Sequence, residues 1–296
     1  AYLFTKDYAN AKIQFENVIN SGAYSLVANY SDNFTDVNEN NSESIFEIQF
    51  SRTLGGADLG WIGAPGSSWG KYSARAVTYG PPGFGFNDMQ PTKALFDEFQ
   101  QEKTTTGDVD PRLDATMFYN APHVKLYGVL FSQYYANNTA LLNGYYSKKY
   151  ENSDGRFANE YDWRSGVNER LMRYADVLMM YAECLNELGS TQQAYTFIQR
   201  VRDRSKLPDL ATVKPNMTQA QMRDQIAHER FLEFACEGHR FDDIRRWGWL
   251  QDASKLSWLQ ARDTEFTTYS AGREYYPIPL SEIDNNPNGV TQNPGW

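Results

Sequence analysis

In the stretch HERFLEFACEGHRFDDIRRWGWL, residues 228–250, charges take positions that an apolar stripe would normally hold. Arg230, Glu233 and Glu237 recur at i, i+3 and i+7, the spacing of one helix face. At about 100° per residue that face lies directly beside Phe231, Phe234 and Ala235, not opposite them. A chain that folds this segment must therefore bring charge at least partly inside. Buried charge is unfavourable unless it is paired. The pattern thus predicts an ion-pair network of Arg230, Glu233, Glu237 and Arg240, with Arg245 and Arg246 also close in sequence. Pattern alone allows an acid/base site or a clamp between helices. A glycosidase-like carboxylate pair needs one acid with a raised pKa, and neighbouring arginines lower it, so the clamp is the favoured reading.

The helical framework is read from periodicity. RLMRYADVLMMYAECLNELG sets Leu171, Tyr174, Ala175, Leu178, Ala182 and Leu185 on one stripe, and Gly189 stands in the usual C-terminal position. STQQ at 190–193 matches a capping box, with Ser190 as N-cap and Gln193 reaching back. The helix it opens carries Ala194, Phe197, Ile198 and Val201. So short a link makes an αα-hairpin, and the small Ala175 and Ala182 permit the close packing of tetratricopeptide-type units. TQAQ at 218–221 is a second capping box and opens the charged helix. Upstream, residues 6–20 read as a helix, SESIFEIQF as a short strand, and QPTKALFDEFQ as a short helix with Leu95 and Phe99 on one side. Residues 54–165 read as mostly irregular. The expected fold class is mainly α: tetratricopeptide-like hairpins with long irregular loops and a few short strands. The chain opens in a helix pattern, with no signal peptide, which suggests a mature or shortened product.

A net charge of −9 and a pI near 5.0 argue against nucleic acid or an anionic membrane as the main partner. No run of 18 apolar residues is present. Cys184 and Cys236 fall in helical patterns and read as two buried free thiols. His123, His228 and His239 are scattered without metal-ligand spacing, so neither metal nor cofactor is expected. Asp108, Asp110 and Asp114 would be the residues of a structural Ca²⁺ site if one existed.

The 20 Tyr, 17 Phe and 7 Trp include many outside any helical stripe, as on binding surfaces. Six of them, Trp61, Trp69, Tyr72, Tyr79, Phe84 and Phe86, stand among the glycines of the stretch 52–90. A sugar offers an apolar C–H face to a flat ring and a hydroxyl rim to polar side chains. The expected ligand-binding set is therefore Trp61, Trp69, Tyr72, Tyr79, Arg75, Asn87 and Asp88. Phe84 and Phe86 could add rings, and Arg52, Asp58 and Lys71 could add to the rim. Tyr134, Tyr135, Tyr145, Tyr146 and Trp163 are second-rank candidates on the same logic.

Three stretches together resemble one family. RYADVLMMYAECLNELG resembles the R-x-A-D-V-L-L-x-Y-A-E helix of the SusD/RagB family. HERFLEFACEGHRFDDIRRWG is similar to its E-R-x-x-E-x-x-x-E-G-x-R-x-x-D-x-x-R segment, and YYPIPLSEIDNNPNGVTQNPGW to its P-I-P…N-P…Q-N-P-G-[YF] ending. GDVDPR and ESIFEIQF add weaker matches, in the right order, over residues 1–296 read as a single domain. The resemblance implies a non-enzymatic lipoprotein on the extracellular face of the outer membrane, lipid-anchored at full length. Such proteins capture glycans, in some cases peptides, and act as a lid on a SusC-type TonB-dependent transporter. It also implies an N-terminal part, with the lipidated Cys and first helical hairpins, beyond these 296 residues. The motif residues Glu229, Arg230, Glu233, Glu237, Arg240, Asp243 and Arg245 belong to the scaffold on this reading. Glycan binding leads, a peptide-binding member is the alternative, and a glycoside hydrolase comes third.

Overall fold

A computed structural model describes residues 1–51, 71–151 and 165–296. In chain order the elements are α1 (Tyr8–Asn20), β1 (Ser44–Ile48), α2 (Arg75–Tyr79), α3 (Lys93–Gln101), α4 (Arg112–Thr116), β2 (Met117–Phe118), β3 (Lys125–Leu126), β4 (Val129–Leu130), α5 (Phe131–Tyr134) and α6 (Thr139–Leu142). They continue with β5 (Tyr146–Ser147), β6 (Glu169–Arg173), α7 (Tyr174–Glu187), α8 (Thr191–Arg204), α9 (Leu210–Val213), α10 (Gln219–Glu233), α11 (Arg240–Arg246), α12 (Ala253–Arg262) and α13 (Leu280–Asn285). The class is mainly α, as the periodicity required. The chain packs as two compact units, Ala1–Glu237 and Gly238–Trp296.

The α7–α8 hairpin is the centre of the first unit. Tyr174, Ala175, Leu178, Ala182 and Leu185 of α7 are buried against Ala194, Ile198 and Val201 of α8 and Met222 and Ile226 of α10. Phe15, Val18 and Ile19 of α1 pack on the same core. Gly189, at φ 81°, ends α7: its N–H donates to Asn186 O and the Ser190 N–H to Leu185 O, at 3.1 and 2.8 Å. That pair of bonds alters one expectation. Ser190 sits at φ −96°, ψ 42°, and its side chain makes no capping bond. The link is so short that Ser190 closes one helix rather than capping the next. Thr218 does form its capping box with Gln221.

Two further expectations are corrected. Residues 170–173 do not extend α7. They form β6, antiparallel to β1, which leaves Leu171 exposed and directs Arg170 and Arg173 inward. The charged helix also does not run through to residue 250. Cys236 and Gly238 take left-handed backbone, φ 61° and 87°, which a right-handed helix cannot accommodate. The segment therefore splits into α10 and α11. The described part of the interval 54–165 is more structured than composition suggested. Short elements there enclose a second core of Leu95, Phe99, Leu113, Phe118, Phe131 and Tyr146. Apart from α3, none is long enough to show a period.

Glu233, at the end of α10, is fully buried and ion-paired to Arg112, Arg173 and Arg204. Arg173 and Arg204 also reach Glu43, at 2.5 and 2.7 Å. Glu237 receives Arg173 at 2.8 Å and the fully buried Lys149 at 2.7 Å. Arg112 pairs with Asp110 at 2.7 Å and lies 2.7 Å from Glu229 Oε1, an ion pair without hydrogen-bond alignment at that oxygen. Arg202 reaches the other Glu229 oxygen at 3.2 Å. Asp110, Glu43, Glu229, Glu233 and Glu237 thus face Arg112, Arg173, Arg202, Arg204 and Lys149, and Arg202 also meets Glu102 at 2.7 Å, which Lys214 pairs at 2.9 Å, so that buried charge is matched by opposite charge. The network differs in membership from the expected one. Arg230 pairs with Asp176 at 2.6 Å. Arg240 lies in the second unit, its guanidinium 5.0 Å from the Trp249 ring centroid.

Burial pushes the Glu233 pKa up, but Arg204, Arg173 and Arg112 outweigh it and hold it at about 2, against an ordinary 4.5. A depressed carboxylate contributes stability above its unfolded pKa and loses it as pH falls through the folded one. Acid titration should therefore lower the melting temperature between about pH 5 and pH 2, and Glu233→Gln should flatten that limb. At neutral pH, Glu233→Ala should cost about 3–5 kcal/mol because it leaves one buried positive charge in excess among Arg112, Arg173 and Arg204. A variant that melts like the parent in urea would refute the assignment.

Candidate functional site

Two stretches of the first unit bring aromatic rings to one face. Phe84 stacks between Tyr127 and Tyr134, at centroid distances of 4.4 and 4.9 Å. Tyr134 is 39% exposed, and Phe86, two residues along from Phe84, is 55% exposed. The backbone makes this possible at Gly83, which adopts φ 94° and where a Cβ would lie 2.4 Å from the Tyr134 hydroxyl. The return from α2 is equally tight: Phe86 N–H donates to Val77 O and Asp88 N–H to Thr78 O, at 2.8 and 3.0 Å. A Cβ on Gly85 would lie 2.5 Å from Val77 O. Beside this stack, Phe96 packs on Tyr119 and on the half-buried Tyr145, at 5.2 and 5.0 Å. The open ring surface of Tyr134 and Phe86 suits the apolar face of a sugar.

The expected ligand residues fare differently. Tyr79, Asn87 and Asp88 stand together at the α2 turn; Asp88 is exposed, and Asn87, at φ 57°, keeps its Oδ1 buried with no hydrogen-bond partner. Tyr72 is half-buried and Lys71 exposed. Arg75 is committed to the scaffold. It pairs with Glu169, donates to Cys236 O at 2.6 Å, and lies 4.0 Å over the Tyr150 ring. Its side chain is 16% exposed, so little of the guanidinium is left for a ligand. Trp61, Trp69, Arg52, Asp58 and Trp163 lie outside the described residues. Among the second-rank tyrosines, Tyr135 and Tyr146 are buried staples, their hydroxyls on Pro82 O and Leu141 O at 2.7 and 2.9 Å. Tyr134 and Tyr145 keep exposed ring area.

Tyr127 was not read as a site residue. Its signal was present: KLYGVL places Tyr127 and Gly128, both at positive φ, as the two-residue turn joining β3 to β4. That turn aims the tyrosine across to Phe84, and its hydroxyl anchors on Glu151 at 2.5 Å.

Glu233, at the centre of the carboxylate cluster, is sealed from solvent and held ionised, the reverse of what a general acid needs. The three aspartates considered for Ca²⁺ are separately engaged. Asp108 accepts from Thr106, Asp110 from Arg112, and Asp114 from Tyr119 with His123 beside it. Among the described residues no group of three or more metal-binding side chains converges.

The SusD family profile matches residues 42–296. The chain belongs to the SusD family. Its fold is shared with a SusD superfamily protein of Bacteroides vulgatus, at 28% identity and a TM-score of 0.77, covering 100% of this chain and 60% of that one. A laminarin-binding SusD-like protein matches at 25% identity and a TM-score of 0.72, again over 100% and 60%. The SusD-like protein P25 of Formosa agariphila is 29% identical over 91% of this chain and 52% of its own length. The chain thus spans about half the length of that curated relative. Within the SusD family reading, the E-R…E…E-G segment has a physical meaning: Glu229, Glu233 and Glu237 are anions of the buried network.

The division between platform and staples is testable by stability alone. Tyr135→Ala should destabilise by about 3–5 kcal/mol, as for a buried ring lost from a core. Tyr134→Ala should stay within about 1 kcal/mol of the parent. Equal losses in denaturant titration would show that Tyr134 is a staple as well.

Proposed function

We propose that this chain is the ligand-capturing part of a non-catalytic cell-surface glycan-binding protein. At full length the protein sits lipid-anchored on the extracellular face of the outer membrane and delivers oligosaccharide to a SusC-type TonB-dependent transporter. The observation that carries the reading is the exposed ring surface of Tyr134 and Phe86, set beside the half-buried Phe84 and Tyr127. Family membership supports it, as does the laminarin-binding relative. Tyr72, Tyr79, Asn87 and Asp88 remain in the proposed binding set, while Arg75 is assigned to the scaffold. Among the described residues no helix is long and apolar enough to cross a membrane, which accords with attachment through a lipid.

Laminarin is the first probe, followed by plant, host and microbial polysaccharides. Tyr134→Ala and Phe86→Ala should each weaken binding about tenfold, the effect of about 1.4 kcal/mol, with melting temperatures unchanged. Trp61→Ala and Trp69→Ala extend the same test to the neighbouring stretch. Prolonged incubation should leave a bound oligosaccharide intact by mass spectrometry. Shorter fragments would convert the reading to a hydrolase. Binding to a peptide library with no glycan bound would convert it to peptide capture.

A further inference from the structure

The C-terminal segment after Tyr275 has little regular structure apart from α13, yet it is firmly held. The Gln292 side chain accepts from the Ile278 N–H and donates to Ile278 O, at 2.8 and 3.0 Å, as a neighbouring strand would. Asn293 Nδ2 donates to Tyr276 O at 2.8 Å, and Trp296 Nε1 to Tyr275 O at 2.6 Å. The two backbones then touch. A Cβ on Gly272, at φ 95°, would lie 2.4 Å from Pro294 O, and one on Gly295, at φ 87°, would lie 2.9 Å from Ala271 O. These contacts form a clasp, and the clasp fixes rings that are not buried.

Tyr276 is 79% exposed and Trp296 is 49% exposed. The Arg273 guanidinium sits 3.7 Å from the Trp296 centroid. With Phe241, Phe266 and Tyr269 these residues line a cleft of about 710 Å³ that lies wholly within the second unit. The volume falls in the range of small-ligand pockets, roughly 300–1,000 Å³. Its charged lining is Asp263, Glu265 and Glu274 against Arg273 alone, so the cleft is net acidic. Glu274 is held by the Tyr269 hydroxyl, the Gly272 N–H and the Gln251 amide, each within 2.9 Å. Asp263 accepts from the Glu265 N–H at 3.0 Å and keeps acceptor capacity, since a carboxylate offers about four lone-pair sites.

We propose that this cleft is a second carbohydrate site, selective for neutral oligosaccharides, with Tyr276 and Trp296 as stacking surfaces. A neutral sugar presents C–H faces to the rings and hydroxyl donors to Glu265 and Asp263, while Arg273 donates to its ring or hydroxyl oxygens. A uronate or sulfated chain is repelled by the surplus of carboxylates. The site rests on the C-terminal unit alone and stands whether or not the Phe84–Tyr134 face binds sugar.

The test uses the 296-residue chain with ¹⁵N-labelled indoles, the Trp296 resonance being assigned by Trp296→Phe. Laminarihexaose, cellohexaose, maltohexaose and mannohexaose are titrated, with hexagalacturonate as the charged counterpart. At least one neutral hexaose should shift the Trp296 resonance saturably, and hexagalacturonate should bind at least tenfold more weakly. Tyr276→Ala, which removes only an exposed ring, should weaken that binding about tenfold at an unchanged melting temperature. Tyr134→Ala should leave it intact, which separates this site from the other face. The proposal is overturned by no shift at millimolar neutral hexaose, by tighter binding of the uronate, or by a shift that Tyr276→Ala leaves unaltered.

Discussion

The carboxylate of Glu233 is the point on which the first unit depends. It ends α10 and is met by Arg112 from α4, Arg173 from β6 and Arg204 from α8, while Glu43, just before β1, shares two of those arginines. Segments far apart in sequence thus converge on one buried group. Desolvation opposes each of these charges, and mutual pairing reverses the balance. The surroundings add to it: Tyr30 donates its hydroxyl to Glu233 O at 2.5 Å, and Arg173 lies 5.0 Å over Phe234. An aromatic wall around a neutral cluster excludes the water that would otherwise weaken every pair.

What the sequence disclosed follows from what local pattern can encode. The α7–α8 hairpin was legible because Tyr174, Ala175, Leu178, Ala182 and Leu185 repeat at helical spacing and all are buried. The burial of Glu233 and Glu237 was legible for the same reason, since both sit beside apolar residues. Their partners were not. Arg112 and Arg173 lie 121 and 60 residues before Glu233, and periodicity carries no information across such distances. Arg75 looked like a rim residue because it stands among aromatics, yet its destinations, Glu169 and Cys236 O, are set by tertiary packing. The short elements between residues 112 and 147 have too few turns to show a period. Their order comes from the core beneath them.

The aromatic faces illustrate the same limit in the other direction. Composition announced a surplus of rings, but it did not separate those left open from those that hold the fold. Tyr134 and Tyr135 are adjacent, and one is open while the other is sealed with its hydroxyl on Pro82 O. In the second unit the tail motif was recognised as a family ending, but its physical role emerges only from the bonds of Gln292, Asn293 and Trp296.

The β1–β6 ribbon carries a consequence for how the chain finds its native pairing. Strand register is normally fixed by an apolar face turned inward. Here Phe46, Ile48 and Met172 face outward, while Glu47 is buried and bonded to Asn168 and Arg170. A slip of one residue would turn Phe46 and Ile48 toward the charged interior and take Glu47 away from Arg170. Electrostatic matching at Glu47, together with Ile45 packed on the core, therefore sets the register of this ribbon. A polar substitution at Phe46 would leave the pairing in place, whereas a neutral residue at Glu47 would loosen it.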